Sequence, residues 1–181
     1  MPNFTLYWYQ LENRKVSRKY LTQAAAIYLE KEERDMCHIK TGQWGKPYFP
    51  DYPDVFCSVT HSGSYWIAAF GSGPVGIDLQ IHQPCHREML SRRFFHSEEQ
   101  AFLARRNYEE FYHIWTAKES YVKYTGQGID GSFSTFCVAD EWQGVMQSSN
   151  GAQFRCLPFC PGYTLYLCST EIDVIQFLPG K

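Results

Sequence analysis

Apolar and polar positions alternate in short runs along most of the chain, a pattern of period two that predicts β-strands. Residues 55–62 and 65–73 are joined by Ser-Gly-Ser and read as a hairpin. The runs predicted as strands are 3–11, 55–62, 65–73, 74–81, 132–140, 153–159, 163–170 and 173–178.

The remaining segments carry the spacing of helices or the residues of loops. We predict helices over 17–34, 85–95, 96–106 and 111–128, with Ser17 and Ser97 as N-caps of the first and third. Residues 45–54 hold Gly and three prolines and are expected to be loop. The order of strand, helix, strands, helices and strands predicts an α+β fold.

The same order is compatible with two similar α/β halves that meet near Pro84. We predict an N-terminal subdomain at 1–83 and a C-terminal subdomain at 84–181, with the last strand able to return to the first half.

The helix predicted at 111–128 places Trp115, Glu119 and Lys123 one turn apart on a single stripe. Glu119 and Lys123 have the spacing of an ordinary surface ion pair. The neighbouring aromatic residues leave this helix little solvent-facing surface, which favours the alternative that the pair lines a cleft.

The strand predicted at 74–81 places Asp78 and Gln80 on one face and Ile77 and Leu79 on the other. An acid and an amide oxygen together are suitable ligands for a hard cation such as Mg²⁺. The alternative is the polar side of a half-exposed strand. Gly76 permits a close backbone approach or a bulge at the same point.

The predicted hairpin contributes a third polar group. Thr60, His61, Ser62 and the backbone of Gly63 are expected at its turn, where hydroxyls, an imidazole and N–H groups are able to bind an anion. A histidine in a hairpin also has purely structural uses. Lys46, in the Gly-Lys-Pro loop, is suited to a phosphate or to solvent.

Net charge and hydropathy exclude some classes of partner. The 181 residues carry a formal net charge of −2, so we expect no nucleic-acid partner, because nucleic-acid binding needs a basic surface. There is no apolar run long enough to span a bilayer, and residues 1–11 do not follow the layout of a signal peptide. We therefore expect a cytoplasmic protein that binds no membrane.

The cysteines are odd in number and lack C-x-x-C spacing, so they read as reduced thiols. A zinc site at His82, Cys85 and His86 lacks a second pair of ligands, and a loop is the favoured alternative. The seven cysteines are Cys37, Cys57, Cys85, Cys137, Cys156, Cys160 and Cys168.

Taken together, these motifs resemble a known family. The segments WGKPYFPDYPDVFCSVTHSGSYWIAAFGSGPVGIDLQ, RRFFHSEEQAFL and FYHIWTAKESYVKYTGQGI look like the 4′-phosphopantetheinyl transferases of the surfactin-synthetase-activating type. The match runs from Trp44 to about Val138. Its most specific parts are the Gly-Ile-Asp strand and the Trp-Thr-Ala-Lys-Glu-Ser helix with its later lysine.

The resemblance implies a transferase with its active site between two related halves. Members move the phosphopantetheine arm of coenzyme A onto a serine of an acyl or peptidyl carrier protein and release 3′,5′-ADP, with Mg²⁺ as cofactor. By resemblance, Asp78 and Glu119 would bind Mg²⁺, with Gln80 beside them. Glu119 would also activate the serine hydroxyl, directly or through a bound water, and Lys123 would neutralise phosphate.

The resemblance also implies coenzyme A contacts and a partner. Thr60 and His61 would hold phosphate oxygens, Lys46 the nucleotide end and Arg18 the 3′-phosphate. The carrier is expected to dock partly on a basic and aromatic stretch, which is alternatively the buried start of a helix pair. That stretch comprises Arg92, Arg93, Phe94 and Phe95. A monomer is expected.

The sequence departs from the family pattern at Gln80, where a glutamate is usual, and at Thr60, where serine is usual. The loss of one carboxylate weakens the expected metal site. The second hypothesis is therefore a catalytically weakened protein that still binds coenzyme A. The third is an interaction protein that does not bind coenzyme A.

Overall fold

The alternating runs form strands and the remaining runs form helices, so the α+β class is confirmed. The computed structural model describes residues 3–11, 16–36, 38–127 and 131–180. Its helices are α1 (Ser17–Leu29), α2 (Arg87–Phe94), α3 (Ser97–Arg105) and α4 (Phe111–Thr125). Its strands are β1 (Phe4–Gln10), β2 (Lys40–Thr41), β3 (Pro47–Tyr48), β4 (Phe56–Ser62), β5 (Tyr65–Gly71), β6 (Val75–Ile81), β7 (Ala139–Asp140), β8 (Gly144–Val145), β9 (Ser148–Ser149), β10 (Ala152–Leu157), β11 (Tyr163–Ser169) and β12 (Ile175–Pro179).

Two four-stranded sheets carry the fold. The first has the order β12-β1-β5-β4, and the second has the order β6-β11-β10-β9. Strand β12 pairs in parallel with β1, which is the predicted return of the last strand to the first half. Strand β6 pairs with β11, so residues before and after Pro84 share one sheet. The division at 83/84 into two similar halves stays a prediction.

Three apolar clusters form because the central strands β5, β6 and β11 bury both faces. One cluster packs α1 against the first sheet, around Trp66. A second packs the helices α2 to α4 against the second sheet, around Ile114. The third contains residues of both sheets, including Leu6, Ile77 and Leu165. The order of layers is therefore α1, first sheet, second sheet and then α4.

A seam of hydroxyl groups joins strands β4 and β6, which belong to different sheets. The hydroxyl oxygens of Ser58, Thr60 and Ser62 accept hydrogen bonds from the backbone N–H groups of β6, at 3.1, 3.1 and 2.9 Å. The donors lie at every second position, namely Ile77, Leu79 and Ile81. Side-chain oxygens here take the place of backbone carbonyls as acceptors. We refer to these three bonds as the hydroxyl seam.

Several local predictions were wrong. Neither predicted serine cap is used, because Ser17 and Ser97 lie at the first helical positions, after Val16 and His96. Helix α1 ends at Leu29 instead of 34. Residues 132–140 form a 3₁₀ turn (Gly131–Ser134) and the two-residue strand β7 instead of a full strand.

The six cysteines described are unpaired, in agreement with the predicted free thiols, whereas Cys37 lies outside the described residues. None of the helices within the described ranges is long and apolar enough to cross a membrane.

Candidate active site

Helix α4 lies directly on strand β6, and Gly76 makes this contact possible. A Cβ atom at position 76 would lie 1.9 Å from the carbonyl oxygen of Ser120 and 2.3 Å from the backbone nitrogen of Tyr124. Only glycine allows two backbones to approach this closely. The predicted close approach at Gly76 is confirmed.

The loop between β2 and β3 supports the same contact. The Lys46 ammonium donates hydrogen bonds to the carbonyl oxygens of Val75 at 2.9 Å, Lys123 at 2.6 Å and Tyr124 at 3.3 Å. A lysine ammonium has three donors, so these bonds use all of them. Burial lowers the pKa of Lys46. In this arrangement Lys46 connects β6 to the last turn of α4. Its predicted contact with a nucleotide stays a prediction.

Asp78 lies on the face of β6 opposite Ile77 and Leu79, as its position on the strand predicts, and on this face it bonds to α4 through Lys123. Its Oδ1 atom accepts from the Lys123 ammonium at 2.6 Å and from the Thr60 hydroxyl at 3.1 Å. Its Oδ2 atom is buried and has no hydrogen-bond partner. Burial raises the pKa of Asp78, and Lys123 followed by Thr60 opposes that rise. The unpaired oxygen is a buried acceptor between β6 and α4.

Glu119 lies on the same face of α4, one turn before Lys123, and is 8% exposed. Burial is the largest cause that raises its pKa to about 7, followed by repulsion from Asp78, while Lys123 lowers it. The two carboxyl groups therefore influence each other electrostatically. Glu119 is poised to exchange a proton near neutral pH.

This geometry decides between the two interpretations of the stripe on α4. Lys123 pairs with Asp78 across the strand–helix contact, so the alternative of a solvated surface pair with Glu119 is wrong. Trp115 begins the stripe, is partly buried and packs against the core, with its ring 5.8 Å from that of Phe111. The aromatic residues hold the helix in place, and the charged residues face the cleft.

A cavity of about 340 Å³ opens beside these charged groups. Its walls come from the loop before β3, from β4 and from α4, and they include Trp44, Lys46, Ser58, Glu119 and Lys123. Trp44 is 55% exposed, which is unusual for so large a ring. Cavities of about 480 and 530 Å³ lie elsewhere, against β10 and along α2, and neither is lined by these charged groups.

The other predicted site residues differ in whether they contact Asp78, Glu119 or Lys123. Thr60 is on strand β4 rather than in the turn, and its buried hydroxyl bridges Asp78 and the Leu79 N–H group. His61 points to the opposite, exposed side of β4. Arg18 donates to the carbonyl oxygen of Ile39 at 2.7 Å. Gln80 is half-buried on the face of β6 that carries Asp78. Their ligand contacts stay predictions.

The loop after β6 does not gather metal ligands. His82 bonds through Nε2 to the Thr164 hydroxyl at 2.7 Å, whereas Cys85 contacts the Tyr112 hydroxyl at 3.5 Å. His82 also stacks on the Tyr112 ring. These separate contacts agree with the favoured alternative of a loop and give no support to zinc there.

Sequence reasoning missed a buried ion pair behind the site. The Lys118 ammonium lies 2.8 Å from Glu99 Oε2, and both side chains are fully buried. Lys118 precedes Glu119 on α4, so the pair fixes the helix to α3. The only signal in the sequence for this pair was Lys118 itself, a lysine among the aromatic residues of α4.

The comparisons with known proteins agree with this geometry. A sequence model of the 4′-phosphopantetheinyl transferase superfamily matches residues 74–168, which is more than half of the chain. The chain belongs to this superfamily. The matched region begins next to β6 and contains Asp78, Glu119 and Lys123, so the resemblance inferred from the motifs is confirmed.

Individual transferases match over much of the chain. It is 33% identical over 141 residues to 4′-phosphopantetheinyl transferase Sfp of Bacillus subtilis (strain 168), covering 74% of this chain and 63% of that protein. It is 35% identical over 95 residues to psf-1 of Bacillus pumilus, covering 51% and 41%. It is 29% identical over 138 residues to gsp of Aneurinibacillus migulanus, covering 74% and 55%. The matches thus span less than two thirds of each relative.

Proposed function

We propose that this chain transfers the 4′-phosphopantetheine arm of coenzyme A to a serine of an acyl or peptidyl carrier protein. The observation that carries the proposal is the meeting of Asp78, Glu119 and Lys123 beside a cavity, within the segment that matches the transferase superfamily. In the reaction the serine oxygen forms a bond to the β-phosphorus of coenzyme A. The pyrophosphate bond breaks, and 3′,5′-ADP leaves.

Glu119 and Lys123 divide the work of this transfer. Glu119 accepts the serine proton as the new bond forms, in the carboxylate form that a bound cation favours. Its pKa of about 7 belongs to the metal-free site. Lys123 lines the cavity and carries a positive charge that stabilises the charge on the phosphate oxygens. Its bond to Asp78 holds the ammonium in position.

Asp78 and Glu119 are suitable ligands for Mg²⁺. Asp78 Oδ2 is buried without a partner, and the repulsion that raises the pKa of Glu119 is the kind a divalent cation relieves. Oxygen donors are those that Mg²⁺ prefers, and the Gln80 amide offers one more. When bound, Mg²⁺ would neutralise charge on the pyrophosphate.

The cavity supplies the proposed site of coenzyme A. The exposed Trp44 ring lines its wall and offers a flat surface on which an adenine can stack. Trp44→Ala should weaken coenzyme A binding about 5- to 150-fold, as the loss of one aromatic ring stacked on a base does. Trp142→Ala, which removes an exposed tryptophan outside this cavity, is the matched control and should bind like the wild type.

The exposed face of α2 is the proposed contribution to carrier docking. Arg92 and Arg93 are exposed, and Met89 beside them is 59% exposed. An acidic partner with an apolar patch would complement such a face. Phe95 is buried in the core. In this stretch Arg92 and Arg93 therefore fit the docking alternative, and Phe95 fits the alternative of a buried helix pair. A monomeric enzyme in the cytoplasm stays our prediction.

The second candidate function is a coenzyme A-binding protein with weakened catalysis. The observation that favours it is Gln80, a neutral amide on the face of β6 that carries Asp78. A carboxylate at this position, added to those of Asp78 and Glu119, would bind Mg²⁺ more strongly. Both candidates require coenzyme A to bind. Only the transferase requires Mg²⁺-dependent release of 3′,5′-ADP.

Mass spectrometry of a carrier protein incubated with the chain, coenzyme A and Mg²⁺ tests the proposal. Expected is a phosphopantetheine-sized mass gain on the carrier serine, absent with EDTA and with Glu119→Gln. Glu32→Gln, a change at an exposed glutamate after α1 and away from both the cavity and α2, serves as the control and should retain the gain. Coenzyme A binding without a mass gain on any of several carriers would favour the second candidate. Absence of binding would overturn both.

A further inference from the structure

A second group of metal-ligating side chains lies at the start of helix α3. The ligand atoms of His96, Glu98 and Cys137 all lie within 4.8 Å of one another, and no other such group of three occurs in the described part of the chain. The Cys137 sulfur is 3.9 Å from Glu98 Oε2. His96 is the N-cap residue of α3 and Glu98 lies in its first turn, whereas Cys137 comes from the segment before β7.

The sulfur–oxygen separation in this group is close to the one that zinc requires, and the remaining ligand pairs lie within 4.8 Å. Zn–S bonds of about 2.3 Å and Zn–O bonds of about 2.1 Å at a tetrahedral angle place sulfur and oxygen roughly 3.6 Å apart. The observed 3.9 Å needs only a small inward movement. Glu98 is exposed and is therefore free to swing. His96 would give up its N-cap bonds to α3, namely the 3.4 Å bond from the Glu98 N–H group and its part in the capping box with Glu99. The Cys137 thiol would give up its bond to the Ala139 carbonyl oxygen at 2.8 Å.

The backbone on both sides of Cys137 is already fixed next to α3. Phe136 accepts a hydrogen bond from the buried Lys118 ammonium at 2.6 Å. The Val138 N–H group donates to Glu99 Oε1 at 2.8 Å. The thiol is therefore held beside the first turn of α3 without any metal, which lowers the entropy that a metal would have to overcome.

The donor set selects the metal. Nitrogen, carboxylate oxygen and thiolate sulfur together suit Zn²⁺, whereas Mg²⁺ requires oxygen ligands alone. A thiolate and a carboxylate balance the charge of one divalent ion. The neighbouring Lys118 and Glu99 already neutralise each other.

We propose that His96, Glu98 and Cys137 form a zinc-binding site with water as the fourth ligand. The bound ion ties the start of α3 to the segment that follows α4, and so it braces the helix that carries Glu119. Binding replaces the S–H bond of Cys137 by a Zn–S bond and releases the thiol proton to solvent. This site does not depend on the proposed transferase activity.

Titration of the reduced, EDTA-treated chain with Zn²⁺ tests the site, with Mg²⁺ in excess to occupy carboxylate sites. Expected are one tightly bound zinc, release of about one proton per zinc at neutral pH and a thiolate-to-cobalt charge-transfer band when Co²⁺ replaces zinc. Cys137→Ser should weaken zinc binding by more than about 100-fold, beyond the loss of an outer-shell partner. Cys156→Ser, at an exposed cysteine elsewhere, should leave it unchanged.

Two further variants keep the test decisive if Cys137→Ser folds poorly. His96→Asn retains a residue suited to the N-cap, and Glu98→Gln changes an exposed side chain, so both should fold. Each is expected to weaken zinc binding at least about 10-fold. Zinc bound equally well by these variants, or stoichiometric cobalt without the thiolate band, would overturn the proposal. Absence of zinc binding by the folded wild type would also overturn it.

Discussion

The buried carboxyl of Glu119 gives the metal-free protein a pH-dependent stability whose sign follows from its surroundings. Its pKa rises from 4.5 to about 7. Between these pH values the folded state holds a proton that the unfolded chain has lost. The free energy of unfolding therefore falls as the pH rises through this window. A pKa difference of about 2.5 corresponds to roughly 3 kcal/mol.

Glu119→Gln isolates this effect because glutamine keeps the shape of the protonated acid. Without metal, the variant should be about 2–3 kcal/mol more stable than the wild type at pH 8, and the two should be equally stable below pH 4.5. The assay is urea unfolding in EDTA from pH 4 to 8.5, followed by tryptophan fluorescence. Glu88→Gln, at an exposed glutamate, should differ from the wild type by less than about 0.5 kcal/mol at any pH.

The reasoning would be refuted by a Glu119→Gln protein that is no more stable than the wild type at pH 8. A gain of equal size at pH 4.5 and pH 8 would refute it as well, because only the ionised carboxylate is destabilising. If Mg²⁺ binds beside Glu119, adding it at pH 8 should stabilise the wild type and narrow the gap.

Three other substitutions test the surroundings of the site. Gly76→Ala should cost about 1–3 kcal/mol or more and reduce transfer, because the new Cβ would overlap the backbone of α4. Gly73→Ala, with open space around it, is its control in thermal unfolding, and equal costs would contradict the packing argument. Lys118→Met should cost about 3–5 kcal/mol by leaving Glu99 buried without its cation. Urea unfolding checks this, and adding Glu99→Gln should recover part of the loss. Gln80→Glu should lower the Mg²⁺ concentration needed for transfer, and an unchanged requirement would place residue 80 outside the metal site.

The larger strands could be predicted because apolar alternation is a local signal. The segment 132–140 could not, because its phenylalanines suggest a strand while Phe133 is buried as part of a turn beside α4. The N-cap predictions for Ser17 and Ser97 were wrong because the structure uses other contacts at these helix starts. The Ser17 hydroxyl accepts from the Trp66 indole at 2.8 Å, a contact that distance along the chain conceals. His96 and Glu99 form a capping box one residue before the expected cap.

The candidate site could be predicted only as far as each element fixes its own residues. The period of the strand put Asp78 on the face opposite Ile77 and Leu79, and the period of the helix put Glu119 beside Lys123. The sequence did not predict that Lys123 would pair with Asp78, since this depends on how closely α4 approaches β6. The sequence also did not predict that the Thr60 hydroxyl would accept a hydrogen bond from β6. A hydroxyl suits an anion equally well, and that was the role expected for it.

The hydroxyl seam makes the junction of the two sheets easier to open than the sheets themselves. A serine or threonine hydroxyl can rotate away and leave its N–H partner to water, whereas a backbone carbonyl moves only with its strand. The amides of Ile77, Leu79 and Ile81 should therefore exchange with deuterium through smaller fluctuations than the paired amides of β5. Asp78 lies between Ile77 and Leu79 on the same strand. Small sideways movements of β6 would therefore change the width of the cleft without breaking the backbone hydrogen bonds between paired strands.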